Sequence, residues 1–321
     1  MARAEDMVRI QDELIDAYKW GEETRARALI FQLGDKPDEI RAELEAMLED
    51  SYGLARQAAA FGLGELGGAV SAARLDQQLR LEEARGDYDG ESVVETIVET
   101  LGRMDEPGAR ESLMRRLERL MGTLPERSDL YVLARSLWRR RHTDLIPIIR
   151  QSLEQGGFPE PNGLRGLLVL LEKSPEDLSE WVRDPVVPVQ YKTEVLGMLG
   201  EELPEAWAGS LPAFISAARA LEEKAVSHEG DAANYCERLF FLLIRHHEHL
   251  GALPAPIRAE LRAVARGLVA AVDLNCAYRA ATMLKFVGLP EDAAVIEAHL
   301  PPHPDLVMEF EEIARVLRKL H

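Results

Sequence analysis

The sequence predicts an all-α fold, a right-handed α-solenoid of about seven to eight antiparallel helix pairs with capping helices. The first observation is a repeat of 38 residues, in which Leu63-Gly64-Glu65-Leu66-Gly67 returns as Leu101-Gly102-Arg103-Met104-Asp105 with its flanking apolar positions in step. The second is that apolar residues follow helical spacing, and no stretch alternates apolar and polar residues as a half-buried strand would. Because repeats contact mainly their neighbours, we expect a single continuous solenoid over residues 1–321.

The first half of the chain is expected to contain the N-terminal cap and the clearest repeats. Residues 1–50 are predicted to form an amphipathic cap helix and a degenerate helix pair that includes a helix start at Pro37. Residues 51–158 hold the most regular copies. Gly67-Gly68 and Pro107-Gly108 interrupt the pattern in them, and each interruption predicts a turn from the first helix of a pair to the second.

The second half repeats the pattern with more drift. Residues 159–272 are predicted to be divergent repeats, although Leu196-Gly197-Met198-Leu199-Gly200 restores the motif. The helix over residues 239–244 is apolar nearly all round, so we expect it to be buried on more than one side. Residues 273–321 are predicted to form a clean last repeat and a C-terminal cap helix.

Three stretches resemble the HEAT-like repeat family, including the bacterial subset named after phycobilisome lyases. They are the run from Arg56 to Gly67, the turn from Leu101 to Ala109, and the Leu196-Gly-Met-Leu-Gly copy. The resemblance implies stacked helix pairs whose second helices line a concave surface. The family includes scaffolds and adaptors, phycobilin lyases and a DNA alkylpurine glycosylase. Its usual Asp and Pro in the turn and Val-Arg at the first helix are only partly filled here, as by Pro107 and Arg56.

Charge restricts the classes of partner. The chain carries 56 acidic and 38 basic side chains, a formal net charge of −18. Such a molecule repels nucleic acid and anionic membranes at long range, so neither is an expected partner. The charge is uneven, because residues 103–150 hold 11 basic and 7 acidic side chains, against 11 and 23 in residues 1–102 and 16 and 26 in residues 151–321. Residues 103–150 therefore form a basic belt between two acidic arms.

The chain is predicted to be a cytoplasmic, bacterial protein. Its two cysteines, Cys236 and Cys276, lie in apolar helical contexts, which is compatible with a reducing compartment. The start has no apolar run of signal-peptide length, and no segment reaches the roughly 18 to 20 apolar residues that span a bilayer. The frequent Ala, Arg, Leu and Glu would suit a GC-rich bacterial genome.

The candidate partner-binding residues all lie in the basic belt. Leu113 and Leu117 take core positions of a second helix, which places the nearby arginines on its outer face, while three further arginines end the next first helix. These guanidiniums could converge on an anionic ligand or an acidic partner. Alternatively, they offset a helix dipole or pair with Glu111 and Glu118 along one helix. The candidates are Arg115, Arg116, Arg119, Trp138, Arg139, Arg140 and Arg141.

Other motifs have simpler interpretations. His246-His247-Glu248-His249 has the spacing of metal ligands, but it follows an apolar helix and is interpreted as the polar end of that helix. Asp87-Tyr-Asp89-Gly90-Glu91 resembles half of a calcium loop without its later bidentate Glu, and is interpreted as a solvated turn. No nucleophile motif or phosphate-binding Gly-rich loop is found. We therefore expect no catalytic residues, no metal and no cofactor.

The sequence favours a non-enzymatic scaffold or adaptor that binds a protein partner. A stacked array offers a long surface, and blocks of charge can steer a complementary protein. Two alternatives stay open. One is an acidic inhibitor or immunity-type partner of a basic protein, and the other is a HEAT-like enzyme, a bilin lyase or a DNA glycosylase. The identity of the partner and the oligomeric state do not follow from the sequence.

Overall fold

The computed structural model describes residues 2–123 and 125–319. These residues form nineteen α-helices and one 3-10 helix, and no β-strand occurs among them. The chain divides into two compact units, Met1–Pro159 (unit 1) and Glu160–His321 (unit 2). The all-α prediction is confirmed. The single solenoid over residues 1–321 stays a prediction.

The described residues of unit 1 form nine α-helices. Three of them pack side by side as one row (Gly53–Leu66, Tyr88–Arg103 and Arg127–Arg139), and the helices that follow each of these pack side by side as a second row (Gly68–Glu83, Pro107–Leu120 and Leu145–Gln155). This two-row packing is the arrangement that the 38-residue repeat predicts. In chain order the helices are α1 (Ala2–Lys19), α2 (Glu23–Ile30), α3 (Pro37–Met47), α4 (Gly53–Leu66), α5 (Gly68–Glu83), α6 (Tyr88–Arg103), α7 (Pro107–Leu120), α8 (Arg127–Arg139) and α9 (Leu145–Gln155).

The turns inside the hairpins fall at the predicted residues. Gly67 separates α4 from α5 with a φ of 67°, a left-handed backbone that glycine adopts without steric cost. Pro107 is the first residue of α7, where a missing backbone N–H costs nothing because that donor has no helical partner. The two repeat copies therefore turn by different local means at equivalent positions.

Small residues set the distance between the first helices. A Cβ added to Gly102 on α6 would lie 2.9 Å from the Cα of Ser136 on α8, closer than carbon atoms can pack. Gly64 on α4 faces Thr100 on α6 in the equivalent way. The glycine that follows leucine in each copy is therefore a contact point between neighbouring repeats.

The helix α1 covers the start of the array, as predicted for a cap. It packs on α2 and α4, and its Tyr18 ring lies 5.8 Å from the ring of Phe61. The Tyr18 hydroxyl is 3.0 Å from the hydroxyl of Thr96 on α6. Burial raises the pKa of the Tyr18 hydroxyl above its usual value. The cap is thus joined to two successive first helices.

Unit 2 has the same two-row packing with less regular hairpins. Its elements are α10 (Leu164–Glu172), α11 (Pro175–Arg183), α12 (Val189–Glu201), α13 (Glu205–Ala208), α14 (Leu211–Val226), α15 (Ala232–Arg245), a 3-10 helix (His247–Ala252), α16 (Ala255–Leu268), α17 (Leu274–Val287), α18 (Asp292–Ala298) and α19 (Pro304–Arg318). One row is α10, α12, α15, α17 and α19, and the other contains α11, α14 and α16.

The helix α15 is the centre of the unit 2 core. It packs on α12, α14 and α17, and Leu239, Phe240, Leu242 and Leu243 on it are fully buried. The predicted burial on more than one side is confirmed. The Tyr235 hydroxyl donates to the Phe214 carbonyl at 3.0 Å, so this buried polar group is paired.

One predicted loop is shorter than expected. The sequence predicts a solvated turn from Asp87 to Glu91, but α6 already begins at Tyr88. The reason is local, since the Asp87 carboxylate accepts a hydrogen bond from the Gly90 N–H at 2.7 Å and caps the helix. Separately, none of the described helices has the length and apolar character needed to cross a bilayer.

Candidate functional site

Three of the candidate arginines pair with acids of the preceding second helix. On α7, the Arg116 and Arg119 side chains both reach the Glu83 carboxylate of α5, at 2.5 Å and 2.8 Å. The expectation that Arg116 lies on an outer face is wrong, because its side chain is only 4% exposed. The helix α5 supplies an acid beside α7 that the sequence of α7 alone does not reveal. Arg116 and Arg119 therefore join neighbouring repeats.

Arg115 has a similar interaction nearer the middle of α7. Its guanidinium lies 3.3 Å from the Asp76 carboxylate on α5 and 3.8 Å from Glu111 one turn earlier. Burial of Asp76 raises its pKa, but the hydrogen bond with Ser112 and the charges of Arg115 and Arg80 outweigh burial, so the pKa is lowered overall. Asp76 is thus held as a carboxylate between two helices.

The remaining candidate arginines meet around a second location at the other end of α7. Arg139 ends α8, Arg140 and Arg141 follow it, and Arg110 projects from the first half of α7. Together they line a cleft of about 280 Å³ at the turn between α6 and α7. We call these four residues and the space between them the arginine cleft. The belt is therefore divided, since about nine helical residues, or roughly 13 Å, separate Arg110 from Arg119 along α7.

Carboxylates near the arginine cleft offset part of its charge. Arg140 pairs with Asp105 at 2.7 Å and Arg110 pairs with Asp144 at 2.8 Å. Asp105 is 95% exposed, so water screens its interaction strongly. The third acid, Glu106, accepts a hydrogen bond from the Gly68 N–H. Among the described residues that line the cleft, four arginines still outnumber two acids.

The arginine cleft also contains donors without protein acceptors. The Nε atoms of Arg110 and Arg140 are buried and have no hydrogen-bond partner within the described residues. A buried donor without an acceptor is unfavourable and is usually satisfied by water or a ligand. Each guanidinium that lines the cleft carries five N–H donors, so the cleft suits a carboxylate or another oxyanion.

Trp138 packs against Arg141, one of the residues that line the cleft. Trp138 is 1% exposed, so its ring cannot contact a partner directly, and the expectation that it binds a partner is wrong. The guanidinium of Arg141 lies over this ring at 4.8 Å and donates to the Trp138 carbonyl at 3.2 Å. Stacking of this kind restrains an arginine while leaving its charge in place. Trp138 is therefore a positioning residue for Arg141.

A larger cleft lies in unit 2 and was not anticipated from the sequence. It has a volume of about 510 Å³ and combines three arginines of α16 with apolar residues at the end of α17. Its arginines, Arg258, Arg262 and Arg266, are four residues apart, which places them on one helical face. The four-residue spacing of these arginines is the feature of the sequence that could have indicated the cleft. It does not stand out, because acidic side chains outnumber basic ones in unit 2 as a whole.

The histidine run does not form a metal centre in the structure. His246 lies 3.4 Å from the Gly200 carbonyl, and the His247 ring contacts the Phe286 ring at 5.2 Å. No group of three His, Cys, Asp or Glu side chains within residues 2–123 and 125–319 is placed to hold a metal ion. The run ends α15 and enters the 3-10 helix, which agrees with its interpretation as the end of an apolar helix.

One buried carboxyl group in unit 2 has the displaced pKa often seen in active sites. Burial raises the pKa of Glu194, and backbone hydrogen bonds lower it in part. The carboxylate accepts from the backbone N–H of Asn162 at 3.1 Å and of Gly166 at 3.0 Å. Glu194 therefore anchors the chain at the start of α10, and these contacts give it a structural role.

Solved structures that are similar to this chain include a human hydroxylase and an engineered protein. No protein-family model matches the chain, and no curated protein matches it. Human deoxyhypusine hydroxylase in complex with glycerol is 19% identical, with 98% of this chain and 96% of that chain covered and a TM-score of 0.34. An engineered protein is 13% identical, with 95% and 77% covered and a TM-score of 0.34. The phycobilisome-lyase type of repeat stays a prediction.

Proposed function

We propose that the chain is a non-enzymatic scaffold that captures an acidic segment of a partner protein at the arginine cleft. One observation carries the proposal. Four guanidiniums line a cleft of about 280 Å³ and outnumber the two acids among its described lining residues. Such a cluster of charged N–H donors can bind a carboxylate side chain through charge-assisted hydrogen bonds.

The ion pairs now present at the cleft do not prevent such capture. Asp105 lies on an exposed turn, and the pair it forms with Arg140 is screened by water. A partner carboxylate could replace Asp105 or bind beside it, because arginine can donate to more than one acceptor. The ion pairs of Arg116 and Arg119 with Glu83 lie at the opposite end of α7, where they connect α5 and α7.

The acidic arms, residues 1–102 and 151–321, repel long polyanions but have little effect on a short acidic segment. At physiological salt the Debye length is about 8 Å, so charges outside the cleft are screened from a ligand that enters it. A nucleic acid would carry its phosphates far beyond the cleft and onto the acidic surface. A peptide with a few carboxylates presents its charge only where the arginines lie. Charge complementarity therefore favours a protein partner.

The test uses a fluorescein-labelled glutamate peptide and a lysine peptide of equal length, with binding followed by fluorescence anisotropy. The triple variant Arg139→Gln, Arg140→Gln, Arg141→Gln should bind the glutamate peptide about tenfold more weakly, because three charged donors are lost. The control changes Arg9, Arg25 and Arg315 to Gln. All three are more than half exposed, and the change in net charge is the same. Equal binding by both triple variants would contradict the proposal.

The lysine peptide tests the alternative partner class. If it binds tightly and the glutamate peptide does not, the chain neutralises a basic protein and the arginine cleft is not its binding site. Raising the salt concentration should weaken either interaction, so salt dependence alone does not separate them. Comparing the two triple variants separates them, because only one of the variants changes the arginine cleft.

A further inference from the structure

We infer that the cleft in unit 2 binds a protein segment in which a carboxylate lies next to an aliphatic or aromatic side chain. The inference goes beyond the proposed function, since it concerns other residues and another ligand chemistry. The arginine cleft is lined by charged and polar groups with one proline, whereas the unit 2 cleft has a cationic wall and an apolar wall. We call it the mixed cleft.

The cationic wall is one face of α16. Arg258, Arg262 and Arg266 line it, and none of the described residues that line the cleft is acidic. Arg258 donates to the Gly251 carbonyl at 3.2 Å and forms no ion pair within the described part of the chain. Its guanidinium therefore retains donors for a ligand, because one carbonyl engages only part of a group with five N–H bonds.

Asp292 holds the other two arginines in place. Its carboxylate is fully buried and accepts from Arg262 at 2.7 Å and 2.9 Å, and it lies 3.1 Å from Arg266. It also accepts from the Leu289 N–H at 2.8 Å. One buried carboxylate thus fixes both the cationic wall and the turn that carries Leu289. A site whose walls are fixed before binding loses less entropy on capture.

The charge of the mixed cleft is positive on a strongly acidic chain. Its three guanidiniums face two nearby carboxylates, Asp292 and Glu291, which leaves one net positive charge. Glu291 is 60% exposed, so it offsets Arg262 only weakly. A ligand that enters the cleft should therefore carry at least one negative charge.

The apolar wall defines the rest of the ligand. Phe286 and Leu289 are 42% and 45% exposed, and they line the cleft together with Leu250, which is 6% exposed. Covering such side chains contributes roughly 25 cal/mol for each Å² of apolar surface removed from water. Arginine and aromatic residues together are also the types most enriched at protein-binding hot spots. The mixed cleft thus matches one acidic and one apolar side chain of a peptide.

The shape of the mixed cleft favours a peptide over a lipid-like acid. Its apolar part is a wall of half-exposed side chains, and a long alkyl chain laid on it would keep much of its surface in water. A peptide needs only to place single side chains there while its backbone stays hydrated. The volume of about 510 Å³ lies within the usual range for ligand clefts.

The test uses a fluorescein-labelled peptide of alternating glutamate and leucine, with an alternating glutamate and serine peptide as comparison. Both are titrated against the Arg139, Arg140 and Arg141 triple glutamine variant, so that the arginine cleft does not contribute. We expect the leucine peptide to bind about tenfold more tightly than the serine peptide, because only the former covers the apolar wall. Equal affinities would overturn the inference.

Two substitutions assign the binding to the mixed cleft. Arg258→Gln and Leu289→Ser should each weaken the leucine peptide by about fivefold or more. The matched controls are Arg315→Gln, which is also exposed, and Leu274→Ser, at a leucine 42% exposed outside the cleft. Both controls should bind as before. Site variants that bind like the controls would overturn the inference while leaving the proposed function intact.

A competition experiment decides the class of ligand. Decanoate carries a carboxylate and an alkyl chain but no backbone, and it should displace the leucine peptide poorly. Displacement by decanoate at concentrations similar to those of unlabelled peptide would overturn the assignment to a protein segment. Failure of the arginine-cleft triple variant to lose glutamate-peptide binding would contradict only the proposed function. The two proposals therefore fail by separate measurements.

Discussion

Arg56 and Glu82 form a buried, bidentate ion pair that closes the α4–α5 hairpin. The Arg56 Nε donates to Glu82 Oε1 at 2.8 Å and Nη2 donates to Oε2 at 3.2 Å. The two side chains are 2% and 1% exposed. The remaining Arg56 donors reach the Asp50 and Ser51 carbonyls, at 3.0 Å and 3.1 Å. One guanidinium thus connects the end of α5 to the turn that precedes α4.

Breaking this pair should destabilise unit 1 strongly. Glu82→Gln keeps the shape of the side chain but leaves the buried Arg56 without its counter-charge, which costs about 3 kcal/mol. Arg56→Met should also be destabilising, because Glu82 then keeps only the Gln78 amide and the more distant Arg85, 3.5 Å away. The double variant should lose less than the sum of the two single variants. Urea unfolding followed by circular dichroism measures the three free energies. Additive losses would show that the two residues do not stabilise the fold as a pair.

A surface pair provides the control for that cycle. Arg9 and Glu13 lie 3.0 Å apart on α1, but their side chains are 62% and 37% exposed. Exposed pairs contribute little, because water screens the attraction and two long side chains must be ordered. Arg9→Gln should leave the unfolding curve unchanged.

The repeat motif predicted the helices well because its information is local. Helix starts and ends depend on residues such as Gly67 and Pro107, whose backbone preferences act within one turn. Gly102 also carries positional information, since a glycine inside a helix is unfavourable unless a neighbour approaches closely. The helix order could therefore be read from the sequence.

The candidate site was predicted less well because its geometry is not local. Arg116 is 33 residues from Glu83, and their pairing depends on the register between two second helices. The sequence predicts a partner contact for Trp138, an aromatic residue in the basic belt, but the packing of α8 buries it. The mixed cleft does not follow from the sequence, because Arg258 and Leu289 come together only after α16 and α17 pack. Spacing along one helix cannot report contacts between helices.

Gly102→Ala should destabilise the contact between α6 and α8. The new Cβ would lie 2.8 Å from the Ser136 Cβ and 2.9 Å from its Cα, and a backbone atom cannot rotate away. Overpacking of this kind typically costs 1–3 kcal/mol, more than the roughly 1 kcal/mol that alanine gains over glycine in a helix. We therefore expect a net loss of about 1 kcal/mol by urea unfolding.

Gly108→Ala is the matched control for that substitution. Nothing lies within 4 Å of a Cβ added at Gly108 in the first turn of α7. The change should therefore be neutral or slightly stabilising, because only the backbone preference of the residue is altered. If both alanine variants behave alike, close approach at Gly102 is not what constrains the repeat.

Asp76 should make stability depend on pH in the acid range. Burial raises its pKa, but the interactions with Ser112, Arg115 and Arg80 lower the pKa by more than burial raises it. The folded-state pKa therefore lies below its ordinary value of 3.8. The folded state therefore favours the carboxylate. The stabilisation is fully present above the unfolded-state pKa and is lost as the pH falls through the lowered folded-state pKa.

Asp76→Asn tests that dependence. The variant should be less stable than the parent protein at about pH 7, and the difference should shrink as the pH falls below the ordinary value of 3.8 and through the lowered pKa of the folded state. Urea midpoints at several pH values measure it. Arg115→Gln, which removes one neighbouring charge, should reduce the pH dependence in part, because the guanidinium lies 3.3 Å from Asp76. A stability difference that is constant with pH would contradict this account of Asp76.

The two cysteines should be unreactive in the folded protein. Burial raises the pKa of the Cys276 thiol to about 12 and raises that of Cys236 above its usual range. The thiolate is the nucleophile, so both residues lack the reactive form near pH 8 and are also shielded from reagents. Ellman's reagent should detect no rapidly reacting thiol in the native protein and both thiols in guanidinium chloride.

Val186→Cys is the positive control, since Val186 is 85% exposed and the new thiol should react at once. Rapid labelling of Cys236 or Cys276 in the native protein would mean that the packing of α15 against α17 opens readily.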